Sequence, residues 1–302
     1  MYNKSFNDTI DMIIDHIPAI SIYLEDLFGR LKDDDDYDVF YCLQNNISPD
    51  LEKFPRFEEF LDHVYEKCRN NIYYFLRNII RLPMQGGGFM NFQINIGTLS
   101  LIEHYVHQNS ALLENPRQTF QSTTMSCIAE YESLFNMHNA EVMFLDRHTT
   151  RQYSLKYKTK IIDNQIPSSF KHYVEKRLSD PSARPTFSQN KRLVFIDDFE
   201  FHESLKSILS IPKVNYEGDI VYYATSTVNG ELDEKEVKYI KSITIDNVNN
   251  FNIMPLAVPF PLTERITRIW YDASYFFTEE ECKEWLEQLG LVMYKHEILR
   301  IR

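Results

Sequence analysis

The sequence of 302 residues has little glycine and little cysteine, and each shortage excludes a class of site. It contains only 8 glycines, three of which form the run Gly86–Gly88. Neither G-x-G-x-x-G nor G-x-x-x-x-G-K-[ST] can be written, so the usual dinucleotide and phosphate-loop motifs are absent. The 4 cysteines are isolated and form no C-x-x-C pair, which excludes a zinc ribbon and a disulfide scaffold.

Long apolar runs are also missing. No stretch of about 18 apolar residues is present, and the first residues do not combine a charged segment with an apolar core. We therefore expect neither a membrane span nor a secretory signal. Dispersed cysteines without a signal are typical of a reducing compartment, so we expect a cytoplasmic protein that does not contact membranes.

Charge is unevenly distributed along an otherwise ordinary globular composition. The formal net charge is −12 and 43% of the residues are hydrophobic. Lysine and arginine nevertheless outnumber aspartate and glutamate over residues 151–192. An acidic protein repels nucleic acid at long range, whereas a local basic segment can hold an anion within a Debye length of about 8–10 Å.

The first part of the chain, residues 1–118, has the apolar spacing of helices. A long helix is predicted from Phe57 to Ile80, and Pro83 would end it. A shorter helix is predicted from Thr98 to Leu113. Its two histidines have no third metal ligand at suitable spacing, so we interpret them as residues of a half-exposed helix.

The rest of the chain alternates short apolar runs with helical patterns, and several neighbouring runs resemble hairpins. This pattern predicts an α+β fold, with a largely antiparallel sheet packed on helices over residues 119–254. Residues 255–302 are predicted to form a β-α-β cap. Thr278 and Glu281 provide a capping box for its helix, and Gly290 lies where that helix should end.

The order of elements over residues 123–254 resembles that of a GAF-type sensor domain. The segments that carry the resemblance are AEVMFLD, KRLVFIDD, SILSIPKV, GDIVYYATS and ELDEKEVKYI, in chain order from residue 140 to residue 240. The resemblance implies a GAF-like sheet with a small-molecule pocket, dimerisation through flanking helices and signal transfer to a neighbouring domain. The Asn-Lys pair of the cyclic-nucleotide subset is not found at the expected strand, where Thr225 and Ser226 stand.

On this basis we expect a small-molecule-sensing or interaction protein with a regulatory role. The residues do not indicate a particular cofactor. The ligand would be anionic, and the helical domain would self-associate or bind a protein partner. The candidate ligand-binding residues lie on the predicted sheet and on the helix that covers it: Phe144, Tyr153, Lys171, His172, Lys176, Arg177, Phe195, Tyr222 and Thr225. A basic helical face could instead dock on the acidic helices of the same chain.

Three alternatives remain open from the sequence. Asp219, Glu236 and Lys238 have the D…E-x-K form of metal-dependent nucleases, provided that the last two lie on a strand. A second possibility is a metal site after the strand that ends near residue 196, built from Asp197, Asp198, Glu200 and His202. The third is nucleic-acid binding by the basic segment 151–192, where aromatic residues are interleaved with the positive charges.

Overall fold

The computed structural model describes residues 24–32, 35–83, 87–116, 119–135, 137–138, 140–145, 166–179, 191–197, 217–226, 254–257, 265–270 and 276–294. Within these ranges the chain forms eight helices and eight strands. In chain order they are α1 (Leu24–Leu31), α2 (Val39–Asn45), α3 (Phe57–Asn70), α4 (Ile72–Asn78), β1 (Arg81–Pro83), β2 (Phe89–Asn91), α5 (Ile96–Val106), β3 (Ala111–Glu114), α6 (Gln121–Phe135), β4 (Glu141–Leu145), α7 (Ser168–Ser179), β5 (Lys191–Ile196), β6 (Asp219–Ser226), β7 (Met254–Ala257), β8 (Arg265–Trp270) and α8 (Glu279–Tyr294).

Six strands form one sheet in the order β4-β5-β6-β3-β8-β7. The first five are parallel to one another, and only the edge strand β7 is antiparallel to its neighbour. The remaining two strands, β1 and β2, form a separate antiparallel pair. The prediction of a largely antiparallel, GAF-like sheet is therefore wrong.

The chain connections explain why the sheet is parallel. Helix α6 lies in the chain between β3 and β4, and helix α7 lies between β4 and β5. Parallel strands need such crossover connections, whereas antiparallel neighbours can be joined by short turns. Residues Leu193–Ile196 are buried without interruption, which is typical of parallel strands covered on both faces.

The central strand β3 lies in a segment for which the sequence predicted a helix. The predicted helix from Thr98 to Leu113 ends instead at Val106, and Gln108 follows with a left-handed φ of 56°. Strand β3 then pairs with β6 on one side and β8 on the other. Its apolar run is only Ala111–Leu113, which is too short for periodicity to distinguish strand from helix.

The predicted helix from Phe57 to Ile80 is divided at Asn71. The Asn71 side chain accepts hydrogen bonds from the backbone N–H groups of Tyr73 and Tyr74, at 3.0 and 3.3 Å, and so caps α4. Its amide also donates to the carbonyl oxygen of Arg30 at 2.7 Å. A buried asparagine can thus end one helix, begin the next and hold a third.

The core lies between the helices and one face of the sheet. On that face Phe144, Phe195 and Tyr223 form a row across β4, β5 and β6, with ring centroids 6.1 and 5.2 Å apart. Tyr105 of α5 contacts the Tyr223 ring edge-on at 6.1 Å. Burial of these rings provides the apolar driving force that joins the helices to the sheet.

The C-terminal region agrees with part of its prediction. A strand forms at β8, but it pairs with β3 within the six-stranded sheet and is not part of a separate cap. The capping box is present: Thr278 N donates to Glu281 at 3.0 Å and Glu281 N to Thr278 at 3.2 Å. Gly290 has a φ of 73°, and helical residues continue beyond it to Tyr294, where the predicted cap has its second strand. Among the described residues, no helix has the length and apolar character needed to cross a membrane.

Candidate ligand site at the carboxyl edge of the sheet

The strand order creates a topological switch point between β3 and β6. After β3 the chain continues to β4 on one side of the sheet, and after β6 it continues to β7 and β8 on the other. In open α/β sheets, neighbouring strands whose connections diverge leave a crevice at their carboxyl ends, and ligands bind there. A ligand site is therefore expected at the carboxyl edge near β3 and β6.

Three side chains from separate segments meet at this edge. Asp197 follows β5, Thr225 lies near the end of β6, and Ser122 is in the first turn of α6, the helix that follows β3. The Ser122 hydroxyl donates to Asp197 Oδ1 at 2.6 Å, and the Thr225 hydroxyl donates to the same oxygen at 3.1 Å. Asp197 is only 4% exposed whereas Ser122 is exposed, so the cluster extends from the interior to the surface.

The loop between β3 and α6 is held by a glutamine side chain. Gln121 Nε2 lies 2.9 Å from the carbonyl oxygen of Asn115, 3.3 Å from that of Pro116 and 3.3 Å from the Thr119 hydroxyl. A primary amide has only two N–H groups to donate to these three oxygens. An ammonium group at the place of Gln121 Nε2 could donate to all three, because it has three N–H groups.

Helix α6 begins in an unusual backbone conformation. Phe120 accepts the first helical hydrogen bond, from Thr124 N at 2.8 Å, and has a left-handed φ of 61°. Glycine adopts this conformation without penalty, but a bulky residue is strained in it. Phenylalanine also has no side-chain oxygen that could cap the amides of the first turn. These amides have no partners within the helix, and together with the helix dipole they favour an anion.

Two buried amide side chains of the same loop have polar atoms without a hydrogen-bond partner among the described residues. Asn115 is 0% exposed, and neither of its amide atoms has a hydrogen-bond partner among the described residues. Gln121 is 7% exposed, and its Oε1 is likewise unpartnered within that part of the chain. A buried polar atom without a hydrogen-bond partner lowers the stability of the fold by about 1–3 kcal/mol. Such an atom is therefore typical of a place where a bound group supplies the partner.

The loop has the spacing of a phosphate-binding loop but not its residues. Asn115, Phe120 and Gln121 stand where G-x-x-x-x-G-K-[ST] has its two glycines and its lysine, and Ser122 matches the last position. In that class of site the loop serine or threonine and an aspartate at a strand end hold Mg²⁺. Ser122 and Asp197 have oxygen atoms of the same kind at the corresponding places. The loop keeps a left-handed φ at Phe120 but has an amide in place of the lysine charge.

The structure brings together two residues that the sequence analysis assigned to different sites. Asp197 was a candidate metal ligand and Thr225 a candidate ligand-binding residue, and they are hydrogen-bonded. Of the other proposed metal ligands, Asp198, Glu200 and His202 lie outside the described residues. Among the described residues, no group of three or more histidine, cysteine, aspartate or glutamate side chains could hold a metal ion.

The aromatic candidates lie away from this edge cluster. Phe144 and Phe195 are buried in the core between sheet and helices, and Tyr222 is buried on the opposite face of the sheet. Tyr153 lies outside the described residues. The three described aromatics therefore have the environment of core residues.

The basic helix α7 docks on the acidic helix α3. Arg177 forms ion pairs with Asp62 at 2.9 Å and with Glu66 at 3.4 Å, and the Tyr173 hydroxyl donates to Asp62. His172 and Lys176 are exposed, and Lys171 is half-buried. The Arg177 contacts agree with the interpretation in which this basic face binds acidic helices of the same chain.

The nuclease residues are only partly described. Asp219 is exposed at the first position of β6, where it pairs in register with Lys191 at the start of β5. This is the amino edge of the parallel strands, opposite to Asp197. Glu236 and Lys238 lie outside the described residues, as does most of the basic segment 151–192, so both alternatives stay predictions.

Ser122 and its loop were missed by the sequence analysis. The motif search required glycine and lysine, and the loop has neither at the decisive positions. The available signal was the spacing: a short apolar run at Ala111–Leu113, the loop, and then serine at the start of a helix. Without the strand assignment for β3 that spacing has no meaning.

No protein-family model matches the chain, and no curated protein matches it either. Function is therefore inferred from the geometry of the site.

Proposed function

We propose that the chain binds a phosphate-bearing small molecule at the carboxyl edge of the sheet, and that a nucleotide with a divalent cation fits the site best. The observation that carries the proposal is the hydrogen bond from Ser122 to Asp197, which joins the start of α6 to the end of β5 across the switch point. The proposal specifies where the anionic small molecule expected from the sequence would bind and that its anionic group is a phosphate.

Each part of the ligand has a counterpart in the described residues. The first-turn amides of α6 and the helix dipole would favour an anion. The oxygens of Ser122 and Asp197 are hard ligands of the kind that Mg²⁺ prefers. A bound cation would supply charge neutralisation between the phosphate oxygens and the Asp197 carboxylate. The proposal concerns binding and assigns no hydrolysis, because Gln121 brings no charge to the lysine position.

The test is a binding titration with fluorescently labelled ATP and ADP, each measured with Mg²⁺ and with EDTA. We expect Asp197→Asn and Ser122→Ala to weaken binding in Mg²⁺ by about tenfold or more, since each removes an interaction of at least about 1.4 kcal/mol. In EDTA the difference between the variants and the natural protein should shrink.

Ser126→Ala is the matched control, because Ser126 lies on the same helix one turn later and its hydroxyl donates along the helix, to Ser122 O at 2.8 Å. Its affinity should equal that of the natural protein. Absence of binding by ATP, ADP and inorganic pyrophosphate would exclude the proposal, as would equal affinities for Ser122→Ala, Asp197→Asn and the control.

A further inference from the structure

The first turn of α5 contacts the loop between β3 and α6. Gly97 is the second residue of α5, and a Cβ atom placed on it would lie 2.0 Å from Asn115 Nδ2. That distance is a severe overlap, so the Asn115 amide occupies the space that any other residue at position 97 would fill. The absence of a side chain at Gly97 therefore leaves room for the end of the buried Asn115 side chain, which would have to move if position 97 carried a Cβ atom.

Asn95 makes a second contact between α5 and the same loop. Its Oδ1 accepts from Thr98 N at 2.9 Å and caps α5, while its Nδ2 donates to the carbonyl oxygen of Thr119 at 3.2 Å. Thr119 comes directly before Phe120, the strained residue at which α6 begins. One asparagine thus shapes the start of two helices.

The loop has a contact to α5 near each of its ends. Asn115 at the start lies against Gly97, and Thr119 near the end is held by Asn95. Gln121, the first residue of α6, joins the two ends, because its amide lies within hydrogen-bond distance of the Asn115 carbonyl oxygen and the Thr119 hydroxyl. The described residues of the loop are thus held by a helix that contributes no residue to the Ser122–Asp197–Thr225 cluster.

We propose that Asn95 and Gly97 are positioning residues of this loop and determine how well it accepts a phosphate group. For affinity the inference rests on the proposed function; for loop geometry it does not. Neither residue needs to touch the ligand: Gly97 acts by leaving room for Asn115, and Asn95 acts through the Thr119 carbonyl.

The test uses the full chain with four variants: Asn95→Ser, Gly97→Ala, Asn115→Ala and the double variant Gly97→Ala/Asn115→Ala. Serine caps a helix about as well as asparagine but is too short to replace the donor to Thr119, so Asn95→Ser separates the two roles of that side chain. We expect Asn95→Ser and Gly97→Ala each to weaken labelled-ATP binding in Mg²⁺ about tenfold.

The double variant distinguishes positioning from general damage. Removing the Asn115 amide gives the added methyl group space, so the double variant should recover most of the slow amide exchange lost in Gly97→Ala, a coupling that additive effects would not produce. Asn115→Ala alone should leave this exchange nearly unchanged. Affinity is compared only among the variants that keep Asn115, because its unpartnered amide is one of the groups that the loop offers to a ligand. Gly29→Ala is the control, because a Cβ there has no heavy atom within 4 Å.

Hydrogen exchange of the amides of residues 119–123, measured without nucleotide, decides the inference independently of the proposed function. We expect faster exchange in Asn95→Ser and Gly97→Ala and slower exchange again in the double variant. If the natural protein binds no nucleotide, the proposed function fails while these exchange rates still decide the positioning role.

Two results would overturn the inference: Gly97→Ala behaving like Gly29→Ala in exchange, or no recovery of slow exchange in the double variant. If Gly97→Ala alone fails to fold, a folded double variant supports the inference and an unfolded one contradicts it.

Discussion

Two regions of this molecule bury polar side chains and pair them to different degrees. In the helical layer the buried carboxylates are paired, although single atoms there, such as Tyr37 Oη and His138 Nε2, have no hydrogen-bond partner among the described residues. Three carboxylates of this layer each accept a hydrogen bond from a tyrosine hydroxyl: Asp35 from Tyr74, Glu103 from Tyr73 and Glu132 from Tyr105. Glu103 is also paired with Arg30 at 3.1 Å. At the carboxyl edge, Asn115 and Gln121 are equally buried but keep atoms without partners among the described residues.

The difference separates stability from recognition. A buried polar group with all its partners holds elements in one arrangement, because any other arrangement leaves it unsatisfied. A buried polar group without a partner costs stability and is retained where something else supplies the partner. The helical clusters therefore serve to fix α1, α4 and α5 together, and the loop before α6 is where a ligand has most to offer.

Removal of Glu103 is the largest expected disturbance. Glu103→Ala leaves the Arg30 guanidinium and the Tyr73 hydroxyl without their carboxylate in a buried site. Breaking a buried pair from one side costs about 3–5 kcal/mol. The free energy of unfolding from urea titration should fall by that amount.

Glu59→Ala is the control for this measurement. Glu59 pairs with Arg56 at 2.7 Å, but the Arg56 side chain is 72% exposed. A surface pair of this kind contributes little to stability, so its loss should barely be measurable. If both variants lost the same stability, the Glu103 cluster would not be the connection described above.

The comparison becomes sharpest with the two buried asparagines. Asn71 uses both ends of its amide, whereas Asn115 uses neither within the described residues. Leucine has nearly the same shape as asparagine and no polar atoms. We expect Asn71→Leu to destabilise the protein by about 2 kcal/mol and Asn115→Leu to be neutral or to stabilise it by about 1 kcal/mol.

Thermal and urea unfolding of both variants measure this contrast directly. A loss of 2 kcal/mol in Asn115→Leu would mean that its amide is satisfied, and the ligand argument at the loop would lose one of its supports.

Local features of the fold could be predicted from sequence, and long-range features could not. The capping box of α8 was readable because Thr278 and Glu281 are three residues apart and bond each other. The direction of strand pairing was not, because it depends on where a chain returns after a helix. Strand β3 is the clearest example of a long-range feature. Its three apolar residues follow a helix in the chain and form a central strand only because β6 and β8 pair with them on either side.

The candidate site follows the same division. Asp197 and Thr225 could each be chosen because a polar residue after an apolar run ends a strand at an edge. Their meeting depends on the strand order, which no spacing along the chain encodes. Ser122 could not be found, since Gln121 and Phe120 replace the residues by which such loops are recognised, and the shared geometry appears only in three dimensions.

Acid titration gives the smallest of the expected effects. Burial by itself would raise the pKa of Asp35, but hydrogen bonds from His63 and Tyr74 and the charge of Lys67 together hold that pKa well below its usual range. The folded state therefore favours the ionised carboxylate. Its contribution is complete above about pH 4 and is lost as the pH falls further, because protons then bind the unfolded chain first.

Asp35→Asn should flatten this part of the profile, measured as the free energy of unfolding in urea at a series of acidic pH values. The change is expected to be about 1 kcal/mol, since His63 and Lys67 are partly exposed and solvent screens them. Asp36→Asn is the control, because Asp36 is the neighbouring acidic residue in the chain and is exposed. A profile for Asp35→Asn that follows the control would show that the tyrosine-bound carboxylate at Asp35 does not contribute to acid stability, and that the satisfied clusters differ among themselves.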